Sequence, residues 1–398
     1  MQRRKFIRNG LAIGGAYPLL PGVKKSANEV HQSGIKITNV RTYVHPRALY
    51  VKIETDAGIS GWGEGDHDHT AIISKIIHQI AKPILIGQDP YNSEYIWNQV
   101  FFTGEDVGTN GAATGALAGI DNALWDLKGK ASNLPVYKLL GGNKTDKIKV
   151  YGSFGRGEGS EVQSPEVCGK RAAKFVEQGY DTVKLRMQIR TLGRNPDPDP
   201  TFEYASAVRK AIGDKTRLFI DFNNGYTPGK AIELIRKLHE HLNVELVEEP
   251  VSYKDYNGLK QCVESSTISI AAGEHEFNRW EIRDLILHGN PDIINLDVIK
   301  GGGLTEMKKA ANLVTAFEKE VMCHSTRPTL GTAAMLHLIA STVNPARIQE
   351  HAGSRPEMKL SELFTNEIKF ENGFLHVPQL PGLGLEVNEK AMKAFEVN

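Results

Sequence analysis

The chain has 398 residues, more than one ordinary core holds, and suits either two domains or one large barrel with a smaller piece. Lys and Arg number 48 against 47 Asp and Glu, so the net charge of +1 provides no field to steer the protein to nucleic acid or an anionic membrane. The three cysteines, Cys168, Cys262 and Cys323, are widely spaced and form no CxxC pair, which argues against a disulfide framework or a structural zinc site.

The first thirty residues read differently from the rest. Arg3-Arg4-Lys5-Phe6-Ile7-Arg8 is a twin arginine followed by an aromatic, an aliphatic residue and a base, and Gly10 to Gly22 is mildly apolar and free of acids. Residues 1–30 resemble a bacterial twin-arginine export signal, which implies a periplasmic protein, or a cytoplasmic one if the signal is not used. A disordered basic tail is the competing reading. The run is too short to span a bilayer, so no membrane span is expected.

Ordered sequence begins near Gly34. Lys36 to Tyr43 and Leu49 to Thr55 are β-rich, and the turn Asp56-Ala57-Gly58 leads to Ser60-Gly61-Trp62-Gly63-Glu64, an antiparallel meander. Helical patterns follow at about His69–Leu85, Tyr91–Phe101 and Ala112–Ala131. The last carries an apolar stripe at Leu117, Ile120, Leu124 and Leu127. Strands followed by helices predict an α+β unit over residues 35–146.

From Lys147 the pattern alternates. Apolar strands are predicted at Ile148–Tyr151, Thr182–Leu185, Arg217–Ile220, Leu246–Val247, Ile268–Ala271, Ile293–Leu296, Glu320–Met322 and Arg347–Gln349, with helices between most of them. Eight strands over residues 147–369 have the rhythm of an α/β TIM-type barrel. A doubly wound sheet is the alternative, but no Gly-rich dinucleotide fingerprint follows an early strand. Gly301-Gly302-Gly303 reads as a tight βα turn rather than a phosphate loop. Residues 370–398 lose the rhythm and are expected to pack back on the N-terminal unit.

In such a barrel the residues just past each strand share one open face. Those positions hold Lys184 and Arg186, Asp221 and Asn223, Glu248, Glu274 and His275, Asp297, His324, and Glu350. The intervals from Asp221 through Glu248, Glu274, Asp297, His324 and Glu350 are 27, 26, 23, 27 and 26 residues, about one βα unit each. Three carboxylates on adjacent strands repel one another unless a cation sits between them. An all-oxygen set favours magnesium, or manganese, over zinc.

These residues, with Gly61-Trp62-Gly63-Glu64, Asp121-Asn122-Ala123-Leu124-Trp125-Asp126-Leu127, Pro135-Val136 and Leu139-Leu140-Gly141-Gly142, resemble the mandelate racemase and muconate-lactonising branch of the enolase superfamily from Ile35 onward. The resemblance implies a modified (β/α)7β barrel with an N-terminal α+β capping domain, and a homo-oligomer. It implies Asp221, Glu248 and Glu274 as magnesium ligands and Asp297 with His324 as a catalytic dyad. It also makes Glu350 the strand-eight acid, and places Lys184 and Arg186 where the branch often has Lys-x-Lys.

The implied chemistry is removal of a proton alpha to a carboxylate. Magnesium, Lys184 and a protonated Glu350 would stabilise the ene-diolate, with a neutral His324 as base and Asp297 orienting its ring. Arg186 is a poor base because a guanidinium stays protonated. That favours one-base elimination of a beta hydroxyl over racemisation, giving a 2-keto-3-deoxy acid. Gly273-Glu274-His275-Glu276 resembles the rhamnonate-dehydratase group, which makes His275 a second candidate acid. Asn223, with His45 and Arg47 on the first cap loop, are candidate substrate-binding residues. Asp66, His67, Asp68 and His69 line the second loop, and a polar cap suits a sugar acid. A cycloisomerase or epimerase using the same ene-diolate, and a sugar-acid binding protein without turnover, remain as alternatives.

Overall fold

Three glycines at alternate positions of one strand allow a twenty-residue helix to lie directly on a small sheet. In the computed structural model, which describes residues 34–142, 145–158, 161–324, 329–353 and 360–397, the strands β1 (Ile37–His45), β2 (Ala48–Thr55) and β3 (Ser60–Gly65) form the expected meander. A Cβ on Gly61, Gly63 or Gly65 would sit 2.1, 2.3 and 2.5 Å from the carbonyl oxygens of Ala123, Gly119 and Gly115. Only glycine permits that approach. The helix Ala112–Ala131 therefore packs backbone to backbone on β3, burying Leu117, Ile120, Leu124 and Leu127. The Gly-x-Gly-x-Gly pattern is thus a packing device. The export-type segment, residues 1–30, lies outside the described residues.

One predicted helix is continuous but not α-helical throughout. His69–Leu85 resolves into Thr70–Ile76, a wide π turn Ile77–Ala81 and Lys82–Leu85. Pro83 has no N–H to return to the preceding turn, and the widened turn comes just before it.

The barrel strands are Lys147–Gly155, Thr182–Arg186, Arg217–Asp221, Val244–Glu248, Ser269–Ala272, Ile293–Leu296, Glu320–Cys323 and Gln349–His351. The first seven pair in parallel in chain order, and the eighth pairs with the first. The seventh and eighth are joined mainly through the chain leading into the eighth. Ala346 N–H donates to Val321 O at 2.7 Å and Val321 N–H donates to Asn344 O at 3.1 Å. The Gln349 side chain accepts from Cys323 N–H at 2.8 Å. The eighth strand starts two residues later than expected, which puts Glu350 inside it.

A plug of Tyr151, Phe219, Leu246, Ala271, Ile293, Met322, Ala346 and Ile348 fills the barrel. Side chains alternate along a strand, so the residues two positions further on face the same interior, one layer higher. Phe219, Leu246, Ile293, Met322 and Ile348 are followed in this way by Asp221, Glu248, Asn295, His324 and Glu350. An apolar layer thus seals the floor beneath a polar one.

The C-terminal stretch divides its contacts. Phe374–His376 runs antiparallel to Lys147–Lys149 of the first barrel strand. Glu396–Val397 adds to the edge of β1, with Arg41 bonded to Glu396 at 2.6 Å. Cap and barrel meet at the triple glycine. Gly302 and Gly303 have φ of 78° and 88°, and the turn ends at the helix Leu304–Ala316. Asp121 accepts from Thr305 N–H at 2.7 Å and Trp97 donates to Gly302 O at 2.8 Å. A carboxylate of this chain occupies the helix N-terminus where a phosphate would otherwise be welcome. Among the described residues no helix is long and apolar enough to cross a membrane.

Candidate active site

Asp221 and Glu248 end adjacent strands, and Glu274 follows the next strand after Gly273, whose φ of 136° is a conformation that favours glycine. Ligand oxygens of the three carboxylates lie within 4.8 Å of one another, and all three are buried. Burial, opposed by Lys184 and reinforced by Glu274, pushes Asp221 up to about 6. Burial, opposed by Lys184 and reinforced by Asp221, Glu274 and Glu350, pushes Glu248 up to about 8. Glu274 goes the other way. Burial alone would raise it, but His324, Lys300 and His275 hold it well below the usual range.

A hard dication fits this set. Glu248 Oε1 is buried with no hydrogen-bond partner, and the donors are oxygens with concentrated negative charge.

The opposite side of the cluster carries the dyad. His324 Nδ1–H donates to Asp297 Oδ2 at 2.6 Å. Asp297 Oδ1 accepts from Ile299 N–H at 2.7 Å and Lys300 N–H at 3.0 Å, which fixes the carboxylate. His324 Nε2 is left facing Glu274 Oε2 at 3.4 Å and Glu350 Oε2 at 3.9 Å. Without a metal the site does not hold the imidazole neutral near pH 7. Burial would lower its pKa, but Glu274, Glu350 and the Asp297 bond raise it to about 9. Much of that excess charge is the charge a bound dication would offset.

Lys184 is fully buried and pairs with Glu248 and, at 3.2 Å, with Glu350. These carboxylates overcome the burial that would neutralise it and keep it protonated. The same pairing corrects the expectation of a protonated Glu350. Burial would raise that carboxyl, but Lys184, His324 and Arg186 hold it low and ionised. Arg186 ends strand two opposite Asp221 in register.

His275 also departs from expectation. Its Nε2 lies 3.4 Å from Glu249 Oε1, 3.6 Å from Glu274 Oε1 and 3.3 Å from Arg190 Nη1. Burial, with Lys300 and Arg190 adding to it against Glu274, lowers it to about 4. A neutral imidazole is a weak acid at pH 7, so His275 is placed at the site without the charge an acid needs. Asn223 serves Asp221 instead of reaching outward. Its backbone and side-chain N–H groups bond both Asp221 oxygens at 2.7 and 2.8 Å, and its Oδ1 accepts from Gln188 N–H at 2.7 Å. On the cap, the His45 ring packs on Phe395 at 4.7 Å and its Nδ1 accepts from Arg47 N–H at 3.1 Å. Arg47 is exposed. The described contacts of these two do not include the carboxylate cluster.

Three residues at the mouth were not singled out as site residues by the sequence. Glu249 is buried with φ of 46° and, with Glu274 and His275, brings ligand atoms within 4.8 Å. Lys300 lies 3.6 Å from Glu274 Oε1. Arg190 reaches across from the segment after strand two. Glu249 follows a strand-end acid, a weak signal. Lys300 sits in a turn and Arg190 in the short 3-10 helix Ile189–Leu192, and only folding brings them in.

The Enolase C-terminal domain-like family model matches residues 168–391, and the mandelate racemase / muconate lactonizing enzyme N-terminal domain model matches residues 26–141. A D-galactonate dehydratase of Pectobacterium atrosepticum is 33% identical over 365 residues, 89% of this chain and 93% of that one. The crystal structure of the 3,6-anhydro-D-galactonate cycloisomerase from Zobellia galactanivorans is 33% identical with a TM-score of 0.81, covering 91% of this chain and 100% of that one. A mandelate racemase/muconate lactonizing protein from Paracoccus denitrificans, complexed with magnesium, is 29% identical with a TM-score of 0.84, covering 92% and 99%. Carrying a capping domain on an α/β barrel with a rim of acids at its strand ends, the chain belongs to the mandelate racemase/muconate lactonizing enzyme branch of the enolase superfamily.

Proposed function

We propose that the protein is a magnesium-dependent sugar-acid dehydratase, a hydro-lyase that converts a polyhydroxylated acid to a 2-keto-3-deoxy acid. The observation that carries the reading is the aim of His324. Its Nε2 points into the space bounded by Glu274 and Glu350 while Asp297 holds the other nitrogen. A base poised by an acid serves turnover, and simple binding does not need one.

Asp221, Glu248 and Glu274 would hold magnesium, or manganese, which would supply Lewis-acid stabilisation of the negative charge that builds up on the substrate carboxylate. Lys184 adds a fixed positive charge from strand two. His324 takes the alpha proton at Nε2, and Asp297 stabilises the imidazolium. Arg186 cannot act as a second base, so the reaction runs from one face. The beta hydroxyl leaves with a proton returned by His324, a syn course, because His275 is held neutral.

A second reading is a cycloisomerase that expels a ring ether, whose leaving alkoxide takes the proton from His324 as the hydroxide would, and one structural neighbour bears such a name. Screening the magnesium-loaded protein against C5 and C6 aldonates and anhydro-aldonates, with detection of keto-deoxy products, separates the two. Deuterium exchange at the alpha carbon without product would refute both and indicate an epimerase.

Residues 1–30 are taken as a twin-arginine signal on the strength of Arg3-Arg4 and the following residues. Loss of periplasmic protein on Arg3→Lys/Arg4→Lys replacement tests it, and unchanged localisation would refute it.

A further inference from the structure

The proton-abstraction scheme leaves Lys300, a cation at the barrel mouth, unused. Lys300, three residues past Asp297, is only 9% exposed. Its ion-pair partner, Glu274 Oε1, is 3.6 Å away, beyond hydrogen-bond reach. Among the described residues its ammonium makes no hydrogen bond. An ammonium has three donors, and those of Lys300 are left for solvent or a ligand at the mouth.

Asp66, on the loop after β3, is 7% exposed. Its Oδ1 accepts from His67 N–H at 2.7 Å. Its Oδ2 makes no hydrogen bond among the described residues.

Asn122 holds the two loops together. Its Nδ2 donates to Glu64 O and to Val298 O, each at 3.0 Å. Asp66 and Lys300 each lie two residues beyond a clamped carbonyl, so the clamp brings both to the seam between capping loop and barrel rim. They form no ion pair with one another within 4.0 Å.

Resting on the sugar-acid reading above, we propose that Asp66 and Lys300 form a hydroxyl-recognition subsite, with the acceptor on the capping loop and the donor on the barrel rim, for one hydroxylated carbon of the substrate. A sugar hydroxyl can donate to Asp66 Oδ2 while accepting from Lys300 Nζ. An apolar carbon satisfies neither group, and a carboxylate would satisfy the lysine while repelling the aspartate. One hydroxyl therefore joins cap to barrel, and the subsite selects a polyol acid over an aliphatic one.

The test is a cycle between protein and ligand. Wild type, Asp66→Asn and Lys300→Met are loaded with magnesium and assayed on D-galactonate and its monodeoxy analogues. Both kcat/KM and calorimetric affinity are recorded, and melting temperature checks folding. Wild type is expected to lose about 10- to 100-fold against one deoxy analogue, the worth of a hydrogen bond to a charged group. Each variant is expected to lose a similar factor on galactonate and to be indifferent to that missing hydroxyl. Fully additive losses across the panel, or unchanged affinity in both variants, would overturn the subsite. If wild type binds the panel without turnover, the dehydratase reading fails, and the affinity cycle still decides the subsite.

Discussion

His324 Nδ1 and Asp297 Oδ2 lie 2.6 Å apart, and that bond determines which nitrogen faces the carboxylate cluster. With the proton on Nδ1 committed to Asp297, Nε2 is the only nitrogen that can take a proton from a substrate. Asp297→Asn keeps the shape but removes the charge that favours the imidazolium. We expect kcat to fall by roughly 10²- to 10⁴-fold, the usual worth of acid–base assistance, with little change in KM. Steady-state kinetics checks it, and a loss under tenfold would argue that the dyad does not act as a unit.

Magnesium binding should release protons. Without the metal, His324 sits near 9 and Glu248 near 8 because the carboxylates crowd one another in a buried site. A dication favours the deprotonated forms of both. Affinity should therefore tighten as pH rises from 7 to 9, and calorimetry in buffers of different ionisation enthalpy should show proton release at pH 7. His324→Asn should reduce that release. The sign for stability follows from the raised histidine. Its contribution to the metal-free fold is fully present below the unfolded value of about 6.5 and is lost as pH rises through about 9. Flat melting temperatures across that window would contradict the charge arrangement.

The glycine ladder makes a stability prediction independent of the chemistry. In Gly63→Ala the new Cβ would sit 2.3 Å from Gly119 O and 2.4 Å from Ala123 N, both backbone atoms. Helix and strand must separate, at a cost of about 1–3 kcal/mol or more, typical of overpacking. Gly58→Ala is a different case. It meets nothing within 4 Å and is strained only by its φ of 72°. Chemical denaturation should rank Gly63→Ala as the larger loss, and equal losses would mean that β3 and the helix do not touch as described.

Much of this was legible in the sequence because barrel geometry is periodic. Asp221, Glu248, Glu274, Asp297, His324 and Glu350 recur at the length of one βα unit, and strand alternation then carries them to one face. The helix Ala112–Ala131 was bounded correctly because its apolar stripe and flanking Gly111 and Ser132 are local signals. What stayed hidden depends on three dimensions. The charge states of His324 and Glu350 follow from several carboxylates and Lys184 meeting in a buried space, which no spacing reveals. Asn223 looked like a ligand-facing residue, yet its hydrogen bonds turn it back on Asp221. His45 packs on Phe395, 350 residues away in the chain, a contact that no local signal announces.

The central claim is that His324 removes the alpha proton. The direct measurement is His324→Asn with magnesium bound, mixed with a turned-over sugar acid in D2O, following keto-deoxy product and alpha-carbon deuterium by NMR. The account predicts that magnesium still binds, that product formation falls by at least roughly 10²-fold, and that alpha exchange disappears with it. Exchange and product formation at the wild-type rate in that variant would contradict it.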